Sequence, residues 1–164
     1  MDHSAPDPSF APLSRTLDYP LYIVTTRVDG ERSGCLIGFA TQCSVHPPRF
    51  LACLSTRNHT YRLALRADVL ALHVVEERNR ELADLFGGET GDEVDKFARV
   101  SCREMHGAPV LDGFRRWFVG RVLSHVELGD HVGFHLEPLV ATVDEVEDQL
   151  TFQQARDISP GHRT

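Results

Sequence analysis

The sequence predicts a mainly β protein, an antiparallel β-barrel with short helices at its ends. Runs of β-branched and aromatic residues are separated by turn residues, and two C-terminal segments alternate between apolar and polar positions. About six or seven strands and two short helices can be counted, and the absence of a strand-helix-strand repeat disfavours a parallel Rossmann sheet. A chain of 164 residues fits one domain of ordinary size.

Composition and charge exclude several classes of protein. Hydrophobic residues make up 41% of the chain and charged residues 25%, a balance that excludes disorder as the main state. The 17 Lys and Arg residues against 24 Asp and Glu residues leave a net charge of −7, so no nucleic-acid partner is expected. No apolar run approaches the roughly 18 residues that cross a bilayer, so no membrane partner is expected. The four cysteines form no CxxC pair and follow no signal peptide, which indicates a reduced, cytoplasmic setting.

The N-terminal part of the chain predicts a flexible arm and a β-hairpin. Residues 1–14 carry three prolines among small and acidic residues, so we expect a loose arm there. Residues 21–28 form a β-branched and aromatic run that stops at the turn pair Asp29-Gly30. Residues 32–38 then provide the return strand.

The next segment predicts an interrupted strand and a short helix. Residues 42–54 have strand character on both sides of Pro47-Pro48, which cannot donate to a central ladder. Either Asn58 or Thr60 can cap a helix over residues 61–67, whose apolar positions share one stripe.

A strand, a second helix and a long connection are expected next. Residues 69–75 have strand character, and residues 78–86 predict a helix that ends at Gly87-Gly88. Residues 87–113 contain five glycines and few periodic apolar positions. We therefore expect a loop-rich connection that lies beside whatever the protein binds.

The C-terminal part of the chain carries the clearest strand signal. Residues 116–123 and 131–137 alternate with a period of two, and a turn at residues 128–130 joins them. Residues 149–152 predict a last short strand. Residues 156–164 are expected to form a C-terminal tail, which leaves residues 15–155 as the folded domain.

Metal and thiol chemistry have little support in the sequence. His131 and His135 point the same way on one strand but lie about 13 Å apart at 3.3 Å per residue, too far to share one ion. Cys43 and His46 have no second ligand pair at zinc-finger spacing. A cysteine nucleophile needs a nearby base, which the sequence cannot place beside Cys43 or Cys53. We expect no metal site.

Hydroxyl groups near the first helix leave two interpretations open. Ser55, Thr56, Arg57 and Thr60 crowd its start, where hydroxyls, backbone N–H groups and one guanidinium can hold a phosphate dianion. The same residue types also cap helices with no ligand present. The sequence contains neither GxGxxG nor GxxxxGK[ST], so a nucleotide would need another scaffold.

Five motifs together resemble the flavin reductase-like family of FMN-binding split barrels. They occur in the family's order and spacing over roughly residues 15 to 155. The motifs are Tyr19-Pro20-Leu21-Tyr22-Ile23-Val24-Thr25-Thr26, Ser44-Val45-His46-Pro47-Pro48, Asp95-Lys96-Phe97, Gly107-Ala108-Pro109-Val110-Leu111 and Gly129-Asp130-His131.

The resemblance implies a fold, a cofactor and an activity. It implies a six-stranded antiparallel split barrel that forms a homodimer, with FMN or FAD near the subunit interface and NAD(P)H as electron donor. The implied activity is that of an NAD(P)H-dependent flavin reductase, with a separate monooxygenase as a recipient of reduced flavin.

The resemblance also implies a set of site residues, none of them a metal ligand. Those expected along the flavin ring are Gly38, Phe39, Ala40 and Thr41, with Ser44 just beyond. Those expected at the ribityl chain and phosphate are Ser55, Thr56, Arg57 and Thr60. Those expected in a loop that closes on the flavin are Lys96 and Phe97. His131 is expected near the nicotinamide or the flavin face, as the candidate catalytic residue.

Departures from the family pattern keep other functions open. Relatives carry a Ser-Ser or Thr-Ala pair and then an aromatic where this chain has Gly38-Phe39-Ala40, and an Asp in place of His46. An FMN-binding electron carrier without nicotinamide turnover is one alternative, and a scaffold that has lost the cofactor is another. His131 as a cap of its own turn and Arg57 as a solvated surface charge stay open too.

Overall fold

The barrel is built from two long hairpins and shorter connecting elements. The computed structural model describes residue 5, residues 7–159 and residue 161. The helices are α1 Phe10–Ser14, α2 His59–Ala64 and α3 Arg80–Gly88, with 3₁₀ helices at Glu77–Asn79 and Lys96–Arg99. The strands are β1 Tyr22–Val28, β2 Glu31–Ile37, β3 Ala40–Ser44, β4 Arg49–Ser55, β5 Val69–Val74, β6 Cys102–Met105, β7 Ala108–Leu111, β8 Arg116–Glu127 and β9 His131–Val143.

Seven strands form one antiparallel sheet that curls into the barrel. Their order is β2-β1-β5-β8-β9-β4-β3, and β6 pairs with β7 in a separate hairpin. Strands β2 and β4 also contact each other, which brings the two ends of the sheet together. The predicted mainly β barrel is confirmed, but the six strands implied by the resemblance are one too few. The turn at Pro47-Pro48 divides residues 42–54 into β3 and β4, and His46-Pro47 is a cis peptide bond.

The first hairpin forms as the sequence predicts. Strands β1 and β2 pair from Tyr22 with Ile37 to Val28 with Glu31. Asp29 and Gly30 both have positive φ angles, 51° and 84°, as the tightest hairpin turns require.

The two helices lie close to their predicted positions. Helix α2 starts at His59 rather than residue 61, and the Asn58 side chain caps it by accepting the Thr60 N–H at 2.9 Å. Helix α3 packs on β2, where Gly34 leaves room for Phe86, since a Cβ at Gly34 would lie 2.7 Å from that ring.

The sheet separates two apolar cores. One fills the barrel interior and includes Val24, Leu54, Leu72 and Phe134. The other lies outside the barrel between the sheet, α3 and the β6-β7 hairpin, and its largest fully buried ring is Phe86. Because neighbouring residues of β1 face opposite cores, the strand is covered on both sides.

The long connection over residues 87–113 is more ordered than the sequence predicts. It contains the 3₁₀ helix Lys96–Arg99 and the β6-β7 hairpin, and every residue of β7 is buried. The Thr25 hydroxyl donates to the Pro109 carbonyl, which fixes β7 against β1. The four-residue strands are too short for a visible period-two pattern, so sequence reasoning missed them.

The predicted arm and tail both contain ordered segments. Helix α1 is one short turn with no buried residue, and residues 1–4 and 6 lie outside the described residues. Residues 149–152 form only isolated bridges, Pro20 with Thr151 and Glu76 with Gln149, rather than a strand. Beyond them the chain continues against the end of α3, where the Gly161 N–H donates to the Gly87 carbonyl at 3.1 Å. Residues 160 and 162–164 of the predicted tail lie outside the described residues.

Across the described part of the chain, none of the helices has the length and apolar character that crossing a membrane requires.

Candidate functional site

A cleft of about 370 Å³ opens where the ends of several elements meet. The C-terminal ends of β2 and β4, the start of β9, the end of α3 and the segment after residue 150 form its walls. This volume lies at the lower end of the range for ligand pockets, roughly 300–1,000 Å³. The cleft is therefore the candidate site.

One wall of the cleft is a row of four rings. Phe152 stacks on Tyr19 with ring centroids 4.9 Å apart and planes 20° apart. Tyr19 lies 5.5 Å from Phe39, and Phe39 lies 5.0 Å from His131, both in tilted arrangements. We call this set, Phe152, Tyr19, Phe39 and His131, the aromatic row. It gives the cleft an aromatic surface on which a planar ligand can pack.

Gly38 lets the backbone form part of this wall. A Cβ at Gly38 would lie 2.3 Å from the Tyr19 ring, so no other residue fits without displacing the ring. The next residue is tied to β4, because the Cys53 N–H donates to the Phe39 carbonyl at 2.8 Å. The connection between β2 and β3 is therefore held in place at the cleft.

The cleft also has a polar end. Ser55, Arg57, Asn58 and Asp130 line it. The Ser55 hydroxyl accepts the Arg57 N–H at 3.3 Å, and the Asp130 carbonyl accepts the Thr56 N–H at 2.9 Å. These bonds join the segment after β4 to the turn before β9. The Asn58 side chain already satisfies the Thr60 N–H, so that group is not offered to a ligand.

His131 is held by the residue before it. Its Nδ1 lies 2.7 Å from Asp130 Oδ1, and its side chain is 27% exposed. The hydrogen bond with His131, and to a smaller degree the charge of Arg57, hold the pKa of Asp130 below its usual value. The carboxylate thus fixes the imidazole orientation and leaves Nε2 as the nitrogen that can meet a ligand.

Lys96 is buried at the inner side of the cleft. Its Nζ donates to the Gly34 carbonyl at 3.1 Å and to the Phe86 carbonyl at 3.0 Å, and burial lowers the pKa of Lys96. The ammonium therefore joins β2 to the end of α3. Two of its three donors are used in this way.

His59 anchors the segment that forms the rim beside α3. Its ring nitrogens lie 2.8 Å from Asp92 Oδ1 and 3.0 Å from Glu31 Oε1. Gly91 packs on the imidazole, since a Cβ there would lie 3.0 Å from His59 Cδ2. Residues 89–91 are thereby positioned at the cleft.

The structure brings half of the predicted site residues to the cleft. Those that line it are Gly38, Phe39, Ser55, Arg57, Lys96 and His131. Those that do not line it are Ala40, Thr41, Ser44, Thr56, Thr60 and Phe97.

Physical reasons place the second group elsewhere. Ala40, Thr41 and Ser44 lie in β3, which pairs with β4. The Thr60 hydroxyl is buried and hydrogen-bonded to that of Ser33 at 2.8 Å. Phe97 is packed edge-on against Phe86 in the outer core.

Sequence reasoning missed several residues of the cleft. Examples among those not singled out for it are Tyr19, Phe86, Glu89, Phe152, Ala155 and Ile158. No local signal could reveal the pairing of Tyr19 with Phe152, since the Phe152 N–H meets the Tyr19 carbonyl across most of the chain. Gly87 and Gly88 at the end of α3, and Phe39 directly after Gly38, were the available hints.

Metal and thiol chemistry find no support in the cleft. Among the described residues, no group of three or more His, Cys, Asp or Glu side chains could hold a metal ion. Burial raises the pKa of the Cys35 thiol to about 11 and also raises the pKa of Cys53. A raised pKa is the opposite of what a reactive thiolate needs.

Comparison with known proteins identifies relatives over nearly the whole chain. A family model described as "Flavin reductase like domain" matches residues 14–159. FMN reductase (NADH) RutF 2 of Methylorubrum extorquens is 30% identical over 68% of this chain, and the match spans 64% of that protein. FMN reductase (NADH) RutF of Variovorax paradoxus is 26% identical over 82% of this chain and 74% of its own length.

A solved structure shares the fold. The NADH:FAD oxidoreductase SgcE6 of Streptomyces globisporus superposes with a TM-score of 0.81 at 22% identity, covering 95% of this chain and 96% of its own. Because the family model covers most of the sequence, this chain belongs to the flavin reductase-like family.

Proposed function

We propose that this protein is an NAD(P)H-dependent flavin reductase that binds FMN or FAD in the cleft. The supporting observation is the cleft itself, which is lined both by the aromatic row and by a polar end that carries Arg57. Membership in the flavin reductase-like family and the relatives named FMN reductase (NADH) support the same activity.

The residues present fit a flavin. A tricyclic ring needs apolar surface and backbone groups at its edge, and the aromatic row and the Gly38 backbone supply both. A ribityl phosphate needs hydroxyl and cationic donors, and Ser55 and Arg57 supply them at the polar end. The cleft volume suits one such ligand.

The protein supplies binding and orientation, while a bound flavin supplies the hydride chemistry. The backbone groups of Gly38 and Phe39 would hold the edge of the ring. Asp130 fixes His131, whose free Nε2 orients the nicotinamide. Lys96 places a buried positive charge beside the cleft, which favours negative charge on a ligand there.

The predicted residues outside the cleft keep narrower roles. Thr56 fixes the turn before His131 through the Asp130 carbonyl. Thr60 and Phe97 are packed behind the cleft lining. Thr60 is hydrogen-bonded to Ser33, and Phe97 contacts the Phe86 ring. Ala40, Thr41 and Ser44 stay predicted flavin contacts, which a bound flavin that extends along β3 would reach.

An absorbance titration tests the proposal. The purified protein is titrated with FMN and with FAD, and NADH and then NADPH are added anaerobically. A shifted flavin band that bleaches over seconds supports a reductase and selects the donor. No shift with either flavin contradicts flavin binding.

An FMN-binding electron carrier is the second candidate. The Phe39 ring lies 5.0 Å from the His131 ring, beside the group proposed to orient the nicotinamide. Phe39 also lies in the segment Gly38-Phe39-Ala40, where the sequence departs from the family pattern, and this departure favours a flavin site without nicotinamide turnover. A flavin band that shifts but does not bleach with either nicotinamide would support the carrier.

The proposed assembly and setting rest on separate features. Exposed apolar side chains of the β8-β9 hairpin, Val126 and Leu128, flank Gly133 and favour a homodimer, which light scattering tests. All four cysteines are free thiols, which favours a reducing, cytoplasmic compartment. A separate monooxygenase as recipient of reduced flavin stays a proposal, testable by coupled oxidation assays.

A further inference from the structure

We propose that the Phe39 ring is the stacking platform for the adenine of a dinucleotide whose other half lies in the cleft. The inference rests on the proposed function and deepens it, because it assigns a subsite for the part of FAD or of NAD(P)H that carries no redox chemistry. FAD and NAD(P)H both carry an adenine, so either ligand could occupy the subsite.

The Phe39 side chain is exposed to solvent although aromatic rings lie on both sides of it. Its residue surface is 52% accessible, although it lies next to Tyr19 and His131. Both neighbouring rings are tilted, by 57° and 56°, so neither lies flat on it. The ring therefore keeps apolar surface available at the mouth of the cleft, where a planar base can stack.

The size of the cleft gives such a surface a use. About 370 Å³ lies at the lower end of the usual range for ligand pockets. A dinucleotide carries a second nucleotide beyond the half that holds the redox-active ring. Phe39 is the aromatic side chain of the described cleft lining that is exposed rather than partly or fully buried, so it is the one most open to that second half.

Charge in the same cleft suits the link between the two halves. Arg57 is exposed and lines the cleft, and its charge acts on Asp130, next to His131. A guanidinium is a donor that binds phosphate oxygens well. The cleft lining thus offers both an aromatic surface for a base, Phe39, and a cation for a phosphate, Arg57.

The test compares ligands that differ only in the adenine half. Phe39→Leu removes the ring and keeps apolar bulk, and Phe10→Leu is the matched control at another exposed phenylalanine, outside the cleft. Dissociation constants for FAD and FMN, and KM values for NADH and reduced nicotinamide mononucleotide, are measured for each protein.

The expected result is a loss confined to adenine-bearing ligands. In Phe39→Leu the preference for FAD over FMN, or for NADH over the mononucleotide, falls by about fivefold or more, as loss of base stacking predicts. A change in the flavin pair assigns the site to FAD, and a change in the donor pair assigns it to NAD(P)H. Phe10→Leu leaves both ratios unchanged.

Other outcomes overturn the inference. Unchanged ratios, or equal losses with and without adenine, mean that the ring does not hold the base. A shift in oligomeric state of Phe39→Leu means that a second copy covers the ring. If the unmodified protein binds neither flavin, the proposed function fails first and the subsite fails with it.

A second variant gives an independent readout. Phe39→Trp introduces an exposed indole, whereas the natural Trp117 is buried. Addition of ADP should quench its fluorescence, since stacking brings the base onto the indole. Absence of quenching in a folded Phe39→Trp protein, at ADP concentrations well above the FAD dissociation constant, contradicts the platform.

Discussion

We predict that the protein loses stability in acid because of the buried side chain of His73. His73 is fully buried in β5 and uses both ring nitrogens, since Nδ1 donates to the Ile23 carbonyl and Nε2 accepts the Leu111 N–H, each at 2.9 Å. The second bond requires an unprotonated Nε2. Burial lowers the pKa of His73 from 6.5 to about 4.

The sign and size of the effect follow from this shift. Between the two pKa values the unfolded chain binds a proton that the folded protein does not, so the free energy of unfolding falls as the pH drops below 6.5. The loss should be about 2 kcal/mol at about pH 5 and about 3 kcal/mol at about pH 4, where it begins to level off.

Urea unfolding of the natural protein and of His73→Gln isolates this contribution. Glutamine keeps an acceptor for the Leu111 N–H and does not titrate, so the pH dependence of all other groups cancels in the difference. The natural protein should lose stability relative to the variant between about pH 7 and about pH 5. Parallel stability curves for the two proteins would refute the reasoning.

Three further changes test the cleft. Arg57→Ala should weaken FMN binding by about 1.5 to 3 kcal/mol, because a charge-assisted bond to the phosphate is lost. Calorimetric titration with FMN measures this, with Arg57→Lys as the control that keeps the charge. An unchanged FMN affinity in Arg57→Ala would remove Arg57 from the site. Gly38→Ala should displace the Tyr19 ring, cost about 1 to 3 kcal/mol of stability and lower FMN affinity; a crystal structure with the ring unmoved contradicts it. Lys96→Met should lower the free energy of unfolding by about 1 to 3 kcal/mol, because it leaves two carbonyls without their donor. Thermal unfolding checks this, with Lys96→Arg as the control that keeps donors at this position. An unchanged melting temperature in Lys96→Met contradicts it.

The fold was predictable where the signal is local. Strands β8 and β9 were predicted from the alternation of apolar and polar residues, and the first hairpin was predicted from the Asp29-Gly30 turn. Both signals depend only on residues that are neighbours in the sequence. The resemblance to the flavin reductase-like family, carried by five motifs in register, is confirmed by the family model.

Only some of the residues that line the cleft could be predicted from the sequence. Gly38, Arg57 and His131 follow from motifs, whereas Tyr19 and Phe152 meet through contacts between distant parts of the chain that no spacing encodes. Thr60 illustrates the opposite failure. Its hydroxyl is a reasonable phosphate donor by sequence, but burial against Ser33 gives it a different partner.

The position of Phe152 and Ile158 has a consequence for biosynthesis. These residues follow all nine strands of the described part of the chain, yet they complete one wall of the cleft. During translation the barrel strands therefore leave the ribosome before the cleft exists. A ligand that needs this wall cannot assist the early folding of the nascent barrel, and its capture becomes a late step that follows the synthesis of residues 152–158.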